Sequence, residues 1–348
     1  MAEPIPDSTP EILERERAPR ARAYRGFALR AGLGLSVVAL LLWHFDARPI
    51  LKLVARERAV FFAAAIALYL AGQVMSAFRW QILARVAGLG GRFDEYLAYY
   101  FVGMFTNLFV PGLIGGDAAR AVYLGRRHGR MGEAVASVAA DRGLGLLALF
   151  WLAAVCAITV TSVALPRAMV RTTVAVGIVS FLAFLAGPVI ASIAVRLPDR
   201  VRSAAGPAIV YLDRPVALVP AIVLSLILQA SLAVCQYLLA RGLGLDLPLA
   251  ALMLCVPIAN VFASLPVTFN GLGVRETAYL LLFGFAGIAK PDAIALGLLW
   301  FATTMAGGLF GVVGFMATPM RGRTGTQDQA RSGAKVGGVK DFTLSSKG

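Results

Sequence analysis

Long apolar stretches, separated by short basic or glycine-rich segments, run through most of the chain. Those at 27–45, 59–78, 132–163, 171–195, 216–240 and 292–317 approach or exceed the ~20 residues that cross a bilayer as a helix. Two more, at 96–120 and 249–287, are apolar but carry proline, glycine and charge in their middles. The pattern predicts an all-α polytopic membrane protein with about six full spans and two re-entrant helical hairpins. Residues 1–23 are rich in Pro, Glu and Arg and predict a disordered cytoplasmic tail. Residues 24–320 form the transmembrane domain, and 321–348 predict a disordered basic tail.

The first interrupted stretch, FTNLFVPGLIGGDAARAVY from Phe105 to Tyr123, has a composition that a plain span does not use. Proline cannot donate to the helical ladder, and glycine suits a tight reversal. The apolar helix is therefore expected to break at Pro111, and a new one to start near Asp117 as N-cap. Free backbone N–H groups at such a start, with Arg120 one turn in, make a ready anion site.

The construction recurs. Gly115, Gly116 and Arg120 follow Pro111 at the spacings at which Asn270, Gly271 and Arg275 follow Pro266. Upstream, Leu83-Ala84-Arg85 with Gly88-Leu89 matches Leu239-Ala240-Arg241 with Gly244-Leu245, 156 residues on. This predicts an internal duplication with halves at about 59–195 and 216–317. Three full crossings lie between the copies, so the second is inverted, and inverted repeats place a binding site at their interface near the bilayer midplane.

Composition sharpens this reading. Hydrophobic residues make up 59 % and charged residues 15 %, against about 25 % charged in a soluble domain. The net charge of +14 does not indicate nucleic acid, because the basic residues gather in short loops and the tails, as the positive-inside bias produces. With both hairpins re-entrant, the loops holding Arg79, Arg85, Arg92, Arg126, Arg127, Arg130, Arg196, Arg200, Arg202 and Arg214 fall on the cytoplasmic side, with both termini, while Arg48, Lys52, Arg56 and Arg58 of the first external loop run against the bias. Trp80 is expected in the interfacial aromatic belt, and residues 196–215 in an interfacial linker between the halves. Cys156, Cys235 and Cys255 lie in apolar runs and read as packing residues. His44 and His128 stand alone, so no metal, cofactor or disulfide framework is expected.

The charges near the breaks are the candidate chemistry. A charge at the bilayer centre costs about 2.5–3.5 kcal/mol on insertion scales, so it survives paired or facing an internal cavity. Two readings stand side by side for Arg120 and Arg275. Either they hold an anionic head-group together with the helix-start glycines Gly116 and Gly271, or they sit in structural ion pairs with Asp117, Asp141 and Glu276. The pair Asp117–Arg142 is one such candidate, and Asp141 and Arg142 favour the structural reading. Asn107 and Asn260 precede the breaks and can cap freed backbone. Tyr99, Tyr100, Tyr123 and Tyr279 read as packing or belt residues. No nucleotide loop, HExxH or nucleophile elbow occurs, so an enzyme is not expected.

Arg79-Trp80, FTNLFVPGLIGGDAAR (105–120), SVAADRGLGL (137–146) and LPVTFNGLGVRE (265–276) together resemble the lysylphosphatidylglycerol synthase transmembrane-domain family. The resemblance implies a flippase-like domain of a bacterial inner membrane acting on a phospholipid or polyprenyl-linked lipid. It marks Asp117, Arg120, Asp141, Arg142, Arg275 and Glu276 as motif residues. No soluble aminoacyl-transfer segment follows residue 317 here, so synthase activity is not expected. The alternative is a membrane subunit or scaffold for lipid or envelope modification, partnered by itself or by an envelope-synthesis enzyme.

Overall fold

The computed structural model describes residues 57–109, 114–161, 163–194, 199–264 and 273–317, with Lys52 and Val54. The expected span at 27–45, both tails, the break prolines Pro111 and Pro266, and Asn270 and Gly271 lie outside the described residues. Within them the chain is helical: α1 Ala59–Val86, α2 Phe93–Phe109, α3 Ile114–His128, α4 Met131–Thr159, α5 Arg167–Leu185, α6 Gly187–Ala194, α7 Asp199–Asp213, a 3-10 turn Pro215–Leu218, α8 Val219–Gly242, α9 Leu249–Ala263, α10 Val274–Gly284 and α11 Lys290–Ala317. Among the described residues, five helical segments are long and apolar enough to cross a membrane: α1, α4, α5, the 3-10 turn with α8, and the first 22 residues of α11. The protein is an all-α polytopic membrane protein.

The interrupted stretches form helix pairs too short to cross singly. At 1.5 Å per residue, α2 reaches about 26 Å, α3 and α9 about 22 Å and α10 about 16 Å, against a hydrocarbon core of about 30 Å. In each pair the two helices pack on one another. Between α2 and α3 the contact is backbone on backbone: a Cβ at Gly116 would collide with the Gly103 carbonyl. That close approach is what glycine permits and any larger residue forbids.

The duplication is written in the packing. Exchanging α1 with α8, α2 with α9, α3 with α10 and α4 with α11 maps contacts onto contacts: α2 on α11 becomes α9 on α4, and α1 on α4 becomes α8 on α11. α1 and α8 pack directly, and the Arg58 N–H donates to the Gly242 carbonyl. Further along, Cys235 Sγ contacts the Ala65 carbonyl, Gly72 faces Leu228, and Arg79 reaches Ser225. One number rises as the other falls, so the two helices are antiparallel. Leu228 is also the residue that an offset of 156 assigns to Gly72. The pseudo-two-fold axis thus passes the α1–α8 crossing at Gly72 and Leu228.

Both copies end their first helix identically. Gly88 and Gly244 take φ of +74° and +77°. Leu89 N–H donates to the Ala84 carbonyl at 2.9 Å, and Leu245 N–H to the Ala240 carbonyl at 2.9 Å. This is a glycine-terminated helix end, which satisfies carbonyls that the helix leaves open.

The stop at Gly88 corrects two expectations. α1 continues to Val86 rather than ending at Phe78, so Arg79 and Trp80 lie inside a helix and not in a loop or belt. Trp80 is fully buried, and its indole N–H donates to Ser137 Oγ at 3.1 Å. A third correction concerns residues 196–215, where α7 stands in place of a linker. α7 tolerates Pro207 and is tied to α1 by the Tyr211 hydroxyl, which donates to the Leu83 carbonyl at 2.9 Å. A fourth concerns Asp117, which sits in the first turn of α3 rather than at its N-cap.

An antiparallel α1–α8 pair puts the two equivalent turns on opposite membrane faces. Gly90 and Asp246 are exposed there. Gly90→Cys and Asp246→Cys, each in a background without the native cysteines, are expected to react with an impermeant maleimide from opposite sides of sealed vesicles. Reaction of both from one side contradicts the inverted repeat.

Candidate functional site

The site begins with buried carboxylates. Asp141, in the third turn of α4, is 2 % exposed and accepts from two arginines at once. Arg79 Nε on α1 reaches its Oδ1 at 2.8 Å, and Arg120 Nη1 on α3 reaches its Oδ2 at 3.3 Å. Arg79 extends the chain to α8 by donating to Ser225 Oγ at 2.9 Å. Arg120 also donates to Asp117, three residues earlier on α3. Its guanidinium lies between aromatic faces, 5.0 Å from the Trp80 ring and 4.6 Å from that of Tyr100. Cation–π contacts of this kind strengthen when desolvated. Asp117 in turn takes Arg142 bidentately, with Nε to Oδ2 at 2.6 Å and Nη2 to Oδ1 at 3.0 Å. A planar fork matched to a carboxylate is the geometry in which arginine binds best.

The cluster ties four helices with three guanidiniums and two carboxylates. The positive charge left over belongs at its open end, where the Arg142 side chain is 47 % exposed. Asn107 serves the backbone here: its Oδ1 accepts from the Gly116 N–H at 2.7 Å, in the first turn of α3. Tyr99 and Tyr123 stack with ring centroids 5.4 Å apart, holding α2 to α3 by packing.

The second copy differs in charge. Gly273, at φ +82°, starts α10, and Glu276 Oε2 accepts its N–H. Glycine at that backbone angle shortens α10 at its start, so Arg275 lies in the first turn while Arg120 lies in the second of α3. Arg275 is 8 % exposed, and its Nε and Nη1 have no hydrogen-bond partner. Neighbouring helix positions point about 100° apart, so Glu276 offers Arg275 a nearby opposite charge but no hydrogen bond. Asp141 has no counterpart either, since the matching stretch of α11 is apolar around Trp300.

These residues converge on a cavity of about 480 Å³. The first half lines it with Tyr69, Gln73, Asn107, Asp117, Arg120 and Arg142, and the second with Gln229, Asn260, Arg275, Trp300 and Thr304. Gly72 and Leu228, on the two-fold axis, also line it. Of the expected site residues, Arg120, Asp117, Gly116, Asn107, Asp141, Arg142 and Arg275 thus meet at one cavity. Glu276 is buried behind it, and Gly271 lies outside the described residues. The residues that sequence reasoning missed are Arg79, Ser225 and Gln236. A basic residue upstream of the Gly88 stop signal was the available sign for Arg79.

The sequence matches the lysylphosphatidylglycerol synthase TM region over residues 27–311. The chain belongs to this family. The family's description connects this membrane region with lipid modification. Among curated proteins, the chain is 28 % identical over 118 residues to the UPF0104 membrane protein PH1989 of Pyrococcus horikoshii, covering 33 % of this chain and 35 % of that one. It therefore spans about a third of the length of the curated relative it matches. No solved structure matches it.

Removing one member of a buried pair strands the others, at about 3–5 kcal/mol. Asp141→Asn strands Arg79 and Arg120 together, so a large drop in thermal unfolding temperature in detergent is expected. Asp94→Asn, on the exposed Arg92–Asp94 pair, is expected to change stability by no more than about 1 kcal/mol. Equal behaviour of the two variants would contradict the structural role assigned to Asp141.

Proposed function

We propose that the chain is a translocator of a lipid or lipid-linked substrate, binding an anionic head-group in the cavity between the two hairpins. The observation that carries this is Arg275: a buried guanidinium whose Nε and Nη1 have no hydrogen-bond partner among the described residues, at a cavity built by both halves of an inverted repeat. Leaving buried guanidinium N–H groups without acceptors is expensive, and a phosphate offers the oxyanion that a guanidinium fork matches. In this reading Arg275 is the primary ligand. Arg142, at the open end, meets the incoming anion first. Arg120, already engaged by Asp117 and Asp141, positions α3 and gives the cavity its shape.

The family supports a lipid as substrate, and inverted repeats support a site that opens alternately to two sides. A phospholipid or polyprenyl-linked lipid would keep its tails in the bilayer while its head-group crosses by the cavity. A bacterial inner membrane with cytoplasmic termini is the setting we assign, with no chemical step of the chain's own.

The test is translocation of fluorescent phosphatidylglycerol in proteoliposomes, read by dithionite quenching. Hydrogen bonds to charged groups contribute about 1.5–3 kcal/mol, so Arg275→Ala is expected to slow translocation about tenfold or more at unchanged protein level. An unchanged rate would overturn the site. No rate above that of protein-free vesicles for the wild type favours the scaffold reading instead.

A further inference from the structure

Behind Arg275 lies a polar seam that anion binding alone does not use. Glu276 is fully buried; its Oε2 accepts the Gly273 N–H, but its Oε1 has no hydrogen-bond donor. One turn on, the hydroxyl of buried Tyr279 takes a hydrogen bond from Gln236 Nε2 of α8 at 2.7 Å. Gln236 Oε1 is also without a donor. A helix cap needs one carboxylate oxygen, so the cap does not account for the second. A buried anionic oxygen with no donor carries a large desolvation cost, and adding a hydrogen to it removes the charge.

The surroundings decide what would occupy that oxygen. Glu276 does not line the cavity, and α11 approaches so closely that a Cβ at Gly297 would lie 2.9 Å from Glu276 Cγ. A metal cation needs several oxygens and room for them. A proton needs neither. Among the described residues, Arg275 and Tyr279 act on Glu276 from α10 and Gly297 of α11 packs against it, while Tyr279 in turn meets Gln236 of α8 and Cys255 of α9. The charged residues of α11 are Lys290 and Asp292, in its first turn.

Resting on Arg275 as the head-group ligand, we propose that Glu276 is a proton site linked to that ligand. The anion and one proton then occupy the second hairpin together. Empty, Arg275 and Glu276 cancel. An anion alone would leave a buried negative charge beside Glu276. When a proton from water bonds to Glu276 Oε1, the carboxylate becomes a carboxylic acid and the sum returns to zero. Release on the far side reverses both events, with no oxidant or reductant involved. Linkage then runs both ways: the anion favours the proton, and lower pH tightens the anion, by up to about tenfold per pH unit.

The test measures binding of dioctanoyl-phosphatidylglycerol to the purified full chain in detergent between pH 5.5 and 8.5. The wild type is expected to bind more tightly as pH falls. Glu276→Gln, whose amide oxygen still caps Gly273, is expected to bind with the low-pH affinity at every pH. Glu57, before α1, is a needed control, because burial pushes its carboxyl up to about 7. Glu57→Gln is expected to keep the wild-type profile. A Glu276→Gln profile that tracks the wild type, or a Glu57→Gln profile that becomes flat, overturns the proton site. Arg275→Ala is expected to lose binding at every pH, and wild-type binding by that variant overturns the head-group site itself. Should Glu276→Gln not fold, proton uptake by the wild type in weak buffer decides: about one proton per lipid bound supports the proposal, and none overturns it. Exchanging sodium for potassium is expected to leave the profile in place, and its loss would point to a metal cation instead.

Discussion

One carboxylate that accepts from two guanidiniums, deep in a membrane protein, is the interaction on which the rest depends. Asp141 draws Arg79 from α1 and Arg120 from α3 onto α4, and Arg79 carries the tie on to α8. Each of these charges would be costly in hydrocarbon alone. With Asp117 on Arg120, two carboxylates balance two guanidiniums, and the set fixes the first hairpin against the crossing of α1 and α8. Aromatic faces of Trp80 and Tyr100 enclose the remaining surface of Arg120. The pairing is evidence of specificity more than of net stability, since buried ion pairs gain little over apolar packing but lose much when broken.

The two halves share a backbone plan and divide its chemistry. Equivalent helices pack alike, equivalent glycines end them, and the axis between them runs past Gly72 and Leu228. Yet the first copy closes its charges upon itself, while in the second Nε and Nη1 of Arg275 find no acceptor among the described residues at the shared cavity. Symmetric architecture with asymmetric charge suits a device in which one hairpin is held and the other receives a ligand. Population of two arrangements requires only that the ligand favour one, and an unsatisfied buried guanidinium supplies that preference.

Much of this was legible in the chain. The 156-residue offset at Leu83 and Leu239 anticipated the repeat, because glycine-terminated helix ends leave a local signature. The five spans among the described residues were legible as apolar runs of the right length. Arg79 and Trp80 were not, since a charge near the end of an apolar run looks like a boundary until the helix is seen to continue to Val86. The difference between Arg120 and Arg275 was equally hidden. Both follow a proline and a glycine at one spacing, and tertiary packing brings Asp141 to the first but, among the described residues, no hydrogen-bonding carboxylate to the second. α7 was obscured by Pro207 and by scattered charge, which mimic a linker.

The central claim is that the anion belongs to Arg275 while Arg120 keeps its carboxylates. An experimental structure in nanodiscs containing an anionic phospholipid tests it most directly. The account predicts head-group density against Arg275 Nε and Nη1, with Arg120 still joined to Asp117 and Asp141. Density on Arg120 with those pairs opened, or an Arg275 side chain turned onto a protein carboxylate, would contradict it.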